Sequence, residues 1–201
     1  MSEILCVTNR SLCTENFLDR IEKIARARPA GIILREKDLT AEEYRLLARQ
    51  VVKICRKYQI PCILHSFTEI AGELSCDAFH GPLHVLRTLS RQQLQQFRTL
   101  GASCHSVEEA LEAQALGCTY ITAGHIFETD CKKGLTGRGL DFLHSVCKSV
   151  SIPVYAIGGI SSRNFALVRH SGATGACVMS GLMQCENVQN YLRDYERQEI
   201  S

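Results

Sequence analysis

Short apolar runs alternate along the chain with longer stretches in which apolar and charged residues recur at helical spacing. A strand buried on both faces gives a continuous apolar run, whereas an amphipathic helix repeats its apolar positions every three or four residues. Thr40 and Glu43 have the spacing of a capping box, which predicts that a helix opens there, and Ser106 and Glu109 repeat the pattern. The predicted strands lie at 4–8, 31–35, 61–65, 77–80, 102–104, 120–123, 152–157 and 175–179. The predicted helices lie at 15–28, 40–58, 90–100, 106–116, 140–149, 161–170 and 186–198.

This order of elements predicts one α/β domain over residues 1–201, folded as a (β/α)8 TIM barrel. Near-continuous apolar strands separated by helices are typical of a parallel sheet, and eight such units are enough to close it. The alternative is an open, doubly wound sheet. No G-x-G-x-x-G follows the first strand, which weakens that alternative.

Composition excludes several classes of protein. Lys and Arg total 23 against 21 Asp and Glu, so there is no general electrostatic reason to bind nucleic acid. No apolar run approaches the roughly 18 residues that a membrane helix needs. An acidic residue, Glu3, stands where a signal peptide would carry basic ones. We therefore expect a cytoplasmic protein with no membrane and no nucleic-acid partner.

The chain has 11 cysteines, an odd number, and no C-x-x-C spacing. Several lie inside apolar runs, as Cys62 and Cys177 do, where cysteine acts as a small buried hydrophobe. The expectation is reduced thiols rather than disulfides or a zinc site.

Polar residues collect where the predicted strands end, which is the face that carries the active site in barrels of this kind. Histidine is the commonest general acid–base group because it titrates near neutrality. Arg35 and Lys37 follow the second strand, and we expect them to point to opposite faces, so that only one of them reaches a ligand. Five of the seven histidines fall at strand ends, namely His65, His80, His84, His105 and His125.

Glycine turns follow the last two predicted strands. Gly158 and Gly159 lead into a helix, and Ser180 and Gly181 form a similar turn one strand later. Loops in these positions often bind phosphate through backbone N–H groups and a helix N-terminus. Ordinary βα turns would look the same, but their occurrence at both strands favours a site for a small phosphate ester.

The polar segment 124–139 is long for a loop in a compact domain, and such loops are often functional. It carries Thr129 and Lys132 beside the predicted phosphate site. The alternative is a solvated surface loop.

At these residues the sequence resembles the thiamine phosphate synthase/TenI family, from Ile4 to about Met183. The resemblance implies the same barrel fold. The motifs that carry it are Leu34-Arg35-Glu36-Lys37-Asp38-Leu39, His105-Ser106-Val107-Glu108-Glu109-Ala110, Ile157-Gly158-Gly159-Ile160 and Val178-Met179-Ser180-Gly181.

Two activities occur in this family. The synthase joins a pyrimidine diphosphate to a thiazole phosphate, using magnesium, an Asn-Asp pair after the third strand and an Asp after the fourth. Here His65-Ser66 replaces the pair, and the segment from His80 to His84 contains no carboxylate. Because magnesium prefers carboxylate oxygens, the loss argues against synthase chemistry.

The segment 124–135 instead resembles the tautomerase branch of the family, in which a carboxythiazole phosphate is aromatised by moving a proton. The resemblance implies that His125 carries that proton. On this reading the substrate carboxylate binds Arg35 or Lys37, and its phosphate binds at the glycine turns. Further contacts come from Ser103, Thr129 and Lys132. No metal or other cofactor is expected.

A thiamine phosphate synthase is the alternative enzyme, and a non-catalytic regulator that binds a phosphorylated ligand is the alternative outside catalysis. A DNA-binding regulator is weaker, because no helix-turn-helix context or basic patch is present. The sequence leaves open whether the chain forms a homo-oligomer.

Overall fold

A computed structural model describes residues 3–129 and 134–197. Eight parallel strands close into a barrel in which each strand pairs with its successor and the last pairs with the first. This confirms the predicted TIM barrel and excludes the open sheet. The strands are β1 (Ile4–Val7), β2 (Gly31–Leu34), β3 (Cys62–His65), β4 (Ala78–Pro82), β5 (Thr99–Cys104), β6 (Tyr120–Gly124), β7 (Val154–Ile157) and β8 (Gly175–Val178).

Helices connect the strands on the outside of the barrel. A short 3₁₀ turn, Arg10–Leu12, follows β1. The α-helices of the described ranges are α1 (Phe17–Arg26), α2 (Ala41–Tyr58), α3 (Thr68–Glu73), α4 (Leu83–Leu86), α5 (Arg91–Gln95), α6 (Val107–Ala115), α7 (Gly139–Ser149), α8 (Ser162–His170), α9 (Ser180–Gln184) and α10 (Val188–Glu196).

The capping prediction is confirmed in full at α2 and in half at α6. Thr40 accepts from the Glu43 backbone, and the Glu43 carboxylate accepts in return from the Thr40 N–H. At α6, Ser106 accepts from the backbone of Glu109, but the Glu109 carboxylate takes the N–H of His105 instead. The second box is thus shifted by one residue toward the end of β5.

Two sequence predictions are wrong around the fourth and fifth strands: the end of the helix at residue 100 and the start of the fifth strand at residue 102. The predicted helix 90–100 is reduced to α5, because Thr99 and Leu100 pair with Ala78 and Phe79 as the start of β5. Pairing with a neighbouring strand therefore overrides local helical periodicity. The short helices α3, α4 and α9 are not predicted, since none is long enough to show a helical repeat.

Strand residues alternate between two hydrophobic layers. Leu5 and Val7 of β1 belong to a small cluster inside the barrel, whereas Ile4 and Cys6 belong to the large cluster between strands and helices. This is the period of two expected of a strand, and a buried side chain of this size contributes about 1.5–3 kcal/mol.

The described cysteines are free thiols, and several are deeply buried. Cys62 and Cys177 are both buried, as their apolar neighbours predict. Burial raises the pKa of the Cys104 and Cys118 thiols to about 12, and it raises the pKa of Cys6 well above its usual value. These thiols remain protonated at neutral pH and act as apolar groups.

Across the two described ranges, none of the helices combines the length and the apolar character needed to cross a membrane.

Candidate active site

One cavity of about 1330 Å³ opens at the carboxyl ends of the strands. It brings together every predicted site residue that the structure describes. Lys132, with its neighbours Asp130, Cys131 and Lys133, lies outside the described residues. The predicted residues in the cavity wall are His125, Arg35, Lys37, Ser103, Thr129, Gly158, Gly159, Ser180 and Gly181, together with His65, His80, His84 and His105.

Arg35 and Lys37 both line this cavity, so the expectation that they point to opposite faces is wrong. Residues two positions apart share a face of an extended chain, so the alternation itself places Arg35 and Lys37 together and Glu36 on the other side. Two cations therefore lie on the same side of the site.

Glu36, between these cations, is buried and holds the loop after β1 against the loop after β2. Its carboxylate accepts from Thr8 Oγ1 at 2.6 Å and from the Arg10 backbone N–H at 3.0 and 3.1 Å. Thr8 Oγ1 in turn accepts from the Arg35 N–H at 2.9 Å. The charged run after β2 is thus an ordered part of the cavity wall rather than a solvated turn.

His65 and His80 lie side by side in the cavity floor, with ring centroids 5.8 Å apart. Burial, with a smaller contribution from the charge of Arg35, lowers the pKa of each to about 3. Ser66 Oγ lies 2.5 Å from His65 Nδ1. Both imidazoles are therefore neutral near pH 7, which suits them to hydrogen bonding rather than to carrying a proton through a reaction.

His80 is held by groups on the two following strands. Its Nδ1 lies 2.9 Å from the Tyr120 hydroxyl, and its Nε2 lies 2.9 Å from Ser103 Oγ. Gly101 is in register with both His80 and Tyr120 and lies between them. A Cβ on Gly101 would come within 2.2 Å of the Tyr120 ring and 2.4 Å of His80 Nδ1, so this contact requires glycine.

His125 follows β6 directly and is only 8% exposed. Its Nε2 lies 3.3 Å from the carbonyl oxygen of Leu135, across the loop. Because a carbonyl only accepts, Nε2 donates this bond. Nδ1 is buried and has no hydrogen-bond partner among the described residues. A polar atom in that state calls for an explanation, and a ligand proton would supply one.

Gly158 and Gly159 pack directly against the segment that carries His125. They have φ values of +101° and +65°, which favour glycine. A Cβ on Gly158 would lie 2.4 Å from His125 Cβ, and one on Gly159 would lie 2.4 Å from the carbonyl oxygen of Glu128. The turn leads into α8 as predicted. Glycine is required here because any Cβ would collide with the segment that carries His125, in addition to any need for close approach to a ligand.

The prediction that Ser180 and Gly181 form a turn is wrong, because they are the first residues of α9. The Met183 N–H donates to the Met179 carbonyl at 3.0 Å, which begins the helix directly after β8. Both residues still line the cavity.

The sequence reading missed several residues of the wall. Thr122 lies between Tyr120 and Gly124 on the inward face of β6, and the period of two could have indicated it. Glu128 and Tyr191 carried no such signal, and Tyr191 reaches the cavity from α10, far along the chain.

The donor set does not fit magnesium. At the ends of β3 and β4 the cavity presents imidazoles and a hydroxyl, while a hard cation prefers carboxylate oxygens. Of the two carboxylates in the described cavity wall, Glu36 is already engaged by Thr8 and Arg10, and Glu128 lies after β6 rather than at the ends of β3 and β4. Within the described residues, no three His, Cys, Asp or Glu side chains are grouped to hold a metal ion.

Comparison with known proteins finds matches over nearly the whole chain. Residues 4–182 match the family model described as thiamine monophosphate synthase. The thiamine-phosphate synthase 2 of Streptococcus pneumoniae is 34% identical over 185 residues, covering 91% of this chain and 88% of the relative. The thiamine-phosphate synthase of Clostridium acetobutylicum is 32% identical over 193 residues, covering 95% and 92%.

A solved structure agrees with these sequence matches. The thiamine phosphate pyrophosphorylase from Pyrococcus furiosus superposes with a TM-score of 0.84 at 25% identity, over 98% of this chain and 94% of that one.

Proposed function

The chain belongs to the thiamine monophosphate synthase/TenI family of thiamine-biosynthesis enzymes, and we propose that it is the tautomerase of that family. Its substrate is a carboxythiazole phosphate, which it aromatises by proton transfer. The observation that carries the proposal is His125, whose buried Nδ1 has no partner among the described residues and whose ring lines the cavity.

A tautomerisation needs one group that accepts a proton at one position of the substrate and returns it at another. One C–H bond breaks, its electron pair moves through the ring, and another bond to hydrogen forms, so no proton or electron is gained or lost overall. His125 is suited to this step, since an imidazole can both accept and return a proton and its Nδ1 has no partner among the described residues.

The remaining groups would hold the substrate at its two anionic ends. Arg35 and Lys37 offer positive charge for a carboxylate, and the guanidinium of Arg35 can bind it through two parallel hydrogen bonds. The phosphate would lie at Gly158, Gly159, Ser180 and Gly181, at the ends of β7 and β8. Ser103, Thr129 and Lys132 would complete the contacts. A substrate fixed at both ends makes the proton transfer effectively intramolecular.

The second candidate is thiamine phosphate synthase, and the names of the relatives favour it. Against it stands the donor set at the ends of β3 and β4, where neutral imidazoles replace carboxylates. The two activities differ in their need for magnesium and in their products, so one pair of assays separates them.

The test is a paired assay on purified, chelator-treated protein. One arm supplies the carboxythiazole phosphate tautomer and follows the aromatic product by ultraviolet absorbance, and we expect turnover without added metal. The other supplies the pyrimidine diphosphate, thiazole phosphate and magnesium, and we expect no thiamine phosphate. Thiamine phosphate in the second arm would establish the synthase. Binding without turnover in either arm would favour a regulator.

His125→Ala is the decisive variant. We expect turnover to fall about 10²- to 10⁴-fold, the usual contribution of a general acid–base group, with binding of the aromatic product retained. His170→Ala is the matched control, because His170 is exposed on α8 and its Nδ1 bonds only to the Ala166 carbonyl of its own helix. Full activity in His125→Ala would refute the assignment.

A further inference from the structure

Three polar side chains on consecutive strands form a chain of hydrogen bonds that ends at the cavity. Tyr120 on β6 contacts His80 on β4, and His80 contacts Ser103 on β5. Tyr120 and His80 are both buried, whereas Ser103 is partly exposed and lines the cavity. The direction in which these bonds run decides what Ser103 can offer a ligand.

The direction follows from the neighbours of Tyr120. Its hydroxyl bonds to His80 Nδ1 and to no other described group. If His80 Nδ1 carried the hydrogen, the O–H of Tyr120 would be left without an acceptor inside the barrel, which is costly. The favoured direction is therefore Tyr120 O–H to Nδ1, which places the hydrogen of the neutral His80 ring on Nε2.

The same direction fixes the role of Ser103. The Nε2–H of His80 donates to Ser103 Oγ at 2.9 Å, and Thr122 Oγ1 donates to the same atom at 3.5 Å. With its oxygen accepting both bonds, Ser103 has its own hydrogen left to donate, and the cavity is the space on which it borders. Ser103 is thus held as a donor toward the cavity.

We propose that His80, backed by Tyr120, is a positioning residue that makes the Ser103 hydroxyl a fixed donor to an anionic oxygen of the ligand. We assign that oxygen to the carboxylate, because Arg35 lines the same cavity and its charge acts on His80, the ring that holds Ser103. Only the identity of the ligand rests on the proposed function; the direction of the hydrogen bonds does not.

The direction is tested without any substrate. Histidine labelled with ¹⁵N gives two-bond nitrogen–proton spectra that distinguish the tautomers, and the His80 signals are those lost in His80→Gln. We expect the Nε2–H tautomer, neutral from pH 5 to 8. An Nδ1–H tautomer or an imidazolium in that range would overturn the proposal. The measurement itself is made on the wild-type protein, and His80→Gln serves only to assign the signals.

Tyr120→Phe tests the donor. Loss of the O–H should move the Nδ1 resonance of His80 downfield, toward that of an imidazole nitrogen that accepts no hydrogen bond. Tyr155→Phe is the matched control, since its ring meets the Tyr120 ring edge-on at a centroid distance of 5.9 Å but gives no bond to His80. An unchanged Nδ1 signal in Tyr120→Phe would show that Tyr120 does not donate.

Ser103→Ala tests the ligand end, by calorimetry with two probes: the aromatic carboxythiazole phosphate and the same thiazole phosphate without its carboxylate. We expect affinity for the first to fall about ten- to a hundredfold, and for the second to stay unchanged. Equal losses for both probes would overturn the contact with the carboxylate. If the wild type binds neither probe and turns over no substrate, the proposed function fails, while the spectra still decide the hydrogen-bond chain.

Discussion

Tyr44 links the ends of two neighbouring strands through one buried hydroxyl. Its O–H donates to the Leu34 carbonyl at 2.7 Å, and its oxygen accepts from the His65 N–H at 2.9 Å. Leu34 and His65 are the last residues of β2 and β3, directly below Arg35 and Ser66. Tyr44→Phe removes this bridge and changes little else, because the ring itself is retained.

The size of the effect follows from the two backbone groups left behind. Tyr44 is fully buried, so water does not reach the site in the folded protein. A buried N–H or C=O that loses its partner costs about 1–3 kcal/mol. The two together should lower the free energy of unfolding by about 2–6 kcal/mol, a large share of the roughly 5–15 kcal/mol typical of a domain.

Urea unfolding followed by circular dichroism measures this loss. Tyr58→Phe is the matched control on the same helix, where the hydroxyl bonds to the partly exposed carboxylate of Glu22 at 2.7 Å. We expect the control to cost less than about 1 kcal/mol. A loss in Tyr44→Phe no larger than in Tyr58→Phe would refute the reasoning, since it would mean that the two backbone groups find other partners.

Two further predictions concern stability and the site. The pKa values of His65 and His80 are lowered to about 3 from 6.5, so the unfolded chain takes up protons first as the pH falls below about 6.5. The free energy of unfolding should therefore be fully maintained above pH 7 and fall by about 2 kcal/mol per histidine at pH 5, and urea midpoints at the two pH values check this. A midpoint that does not change with pH would contradict the lowered values. Gly158→Ala should cost more than the 1–2 kcal/mol of a left-handed backbone and should reduce turnover, because its Cβ meets His125. Gly117→Ala has a similar φ of +92° but open space around it, so equal losses in the two variants would rule out that contact.

The sequence predicts the barrel because its signals are local and repeated. Apolar runs such as 31–34 mark strands wherever they occur, and the closure of eight of them follows from their number. The start of β5 could not be predicted in this way. Thr99 and Leu100 continue a helical pattern, and only their pairing with β4 makes them a strand.

The candidate site likewise has parts that local sequence patterns predict and parts that depend on how the strands pair. Position at a strand end is enough to predict that His125 and the turn at Gly158 and Gly159 border the cavity, since the carboxyl ends of parallel strands meet at one face. The contact between His80 and Tyr120 depends on two registers through Gly101, which join residues 40 positions apart. No local pattern carries that information.

The barrel closes between β1 and β8, and a cysteine lies on each of these strands. Cys6 faces the helix layer and Cys177 faces the barrel interior, on strands that pair Leu5 with Cys177. Burial raises the pKa of both thiols, but Cys177 also lines the cavity, where a reagent can approach it from outside. Cys6 lies between β1 and the helices, so the rate of its alkylation, read by mass spectrometry under native conditions, measures how often the helix layer opens where the barrel closes.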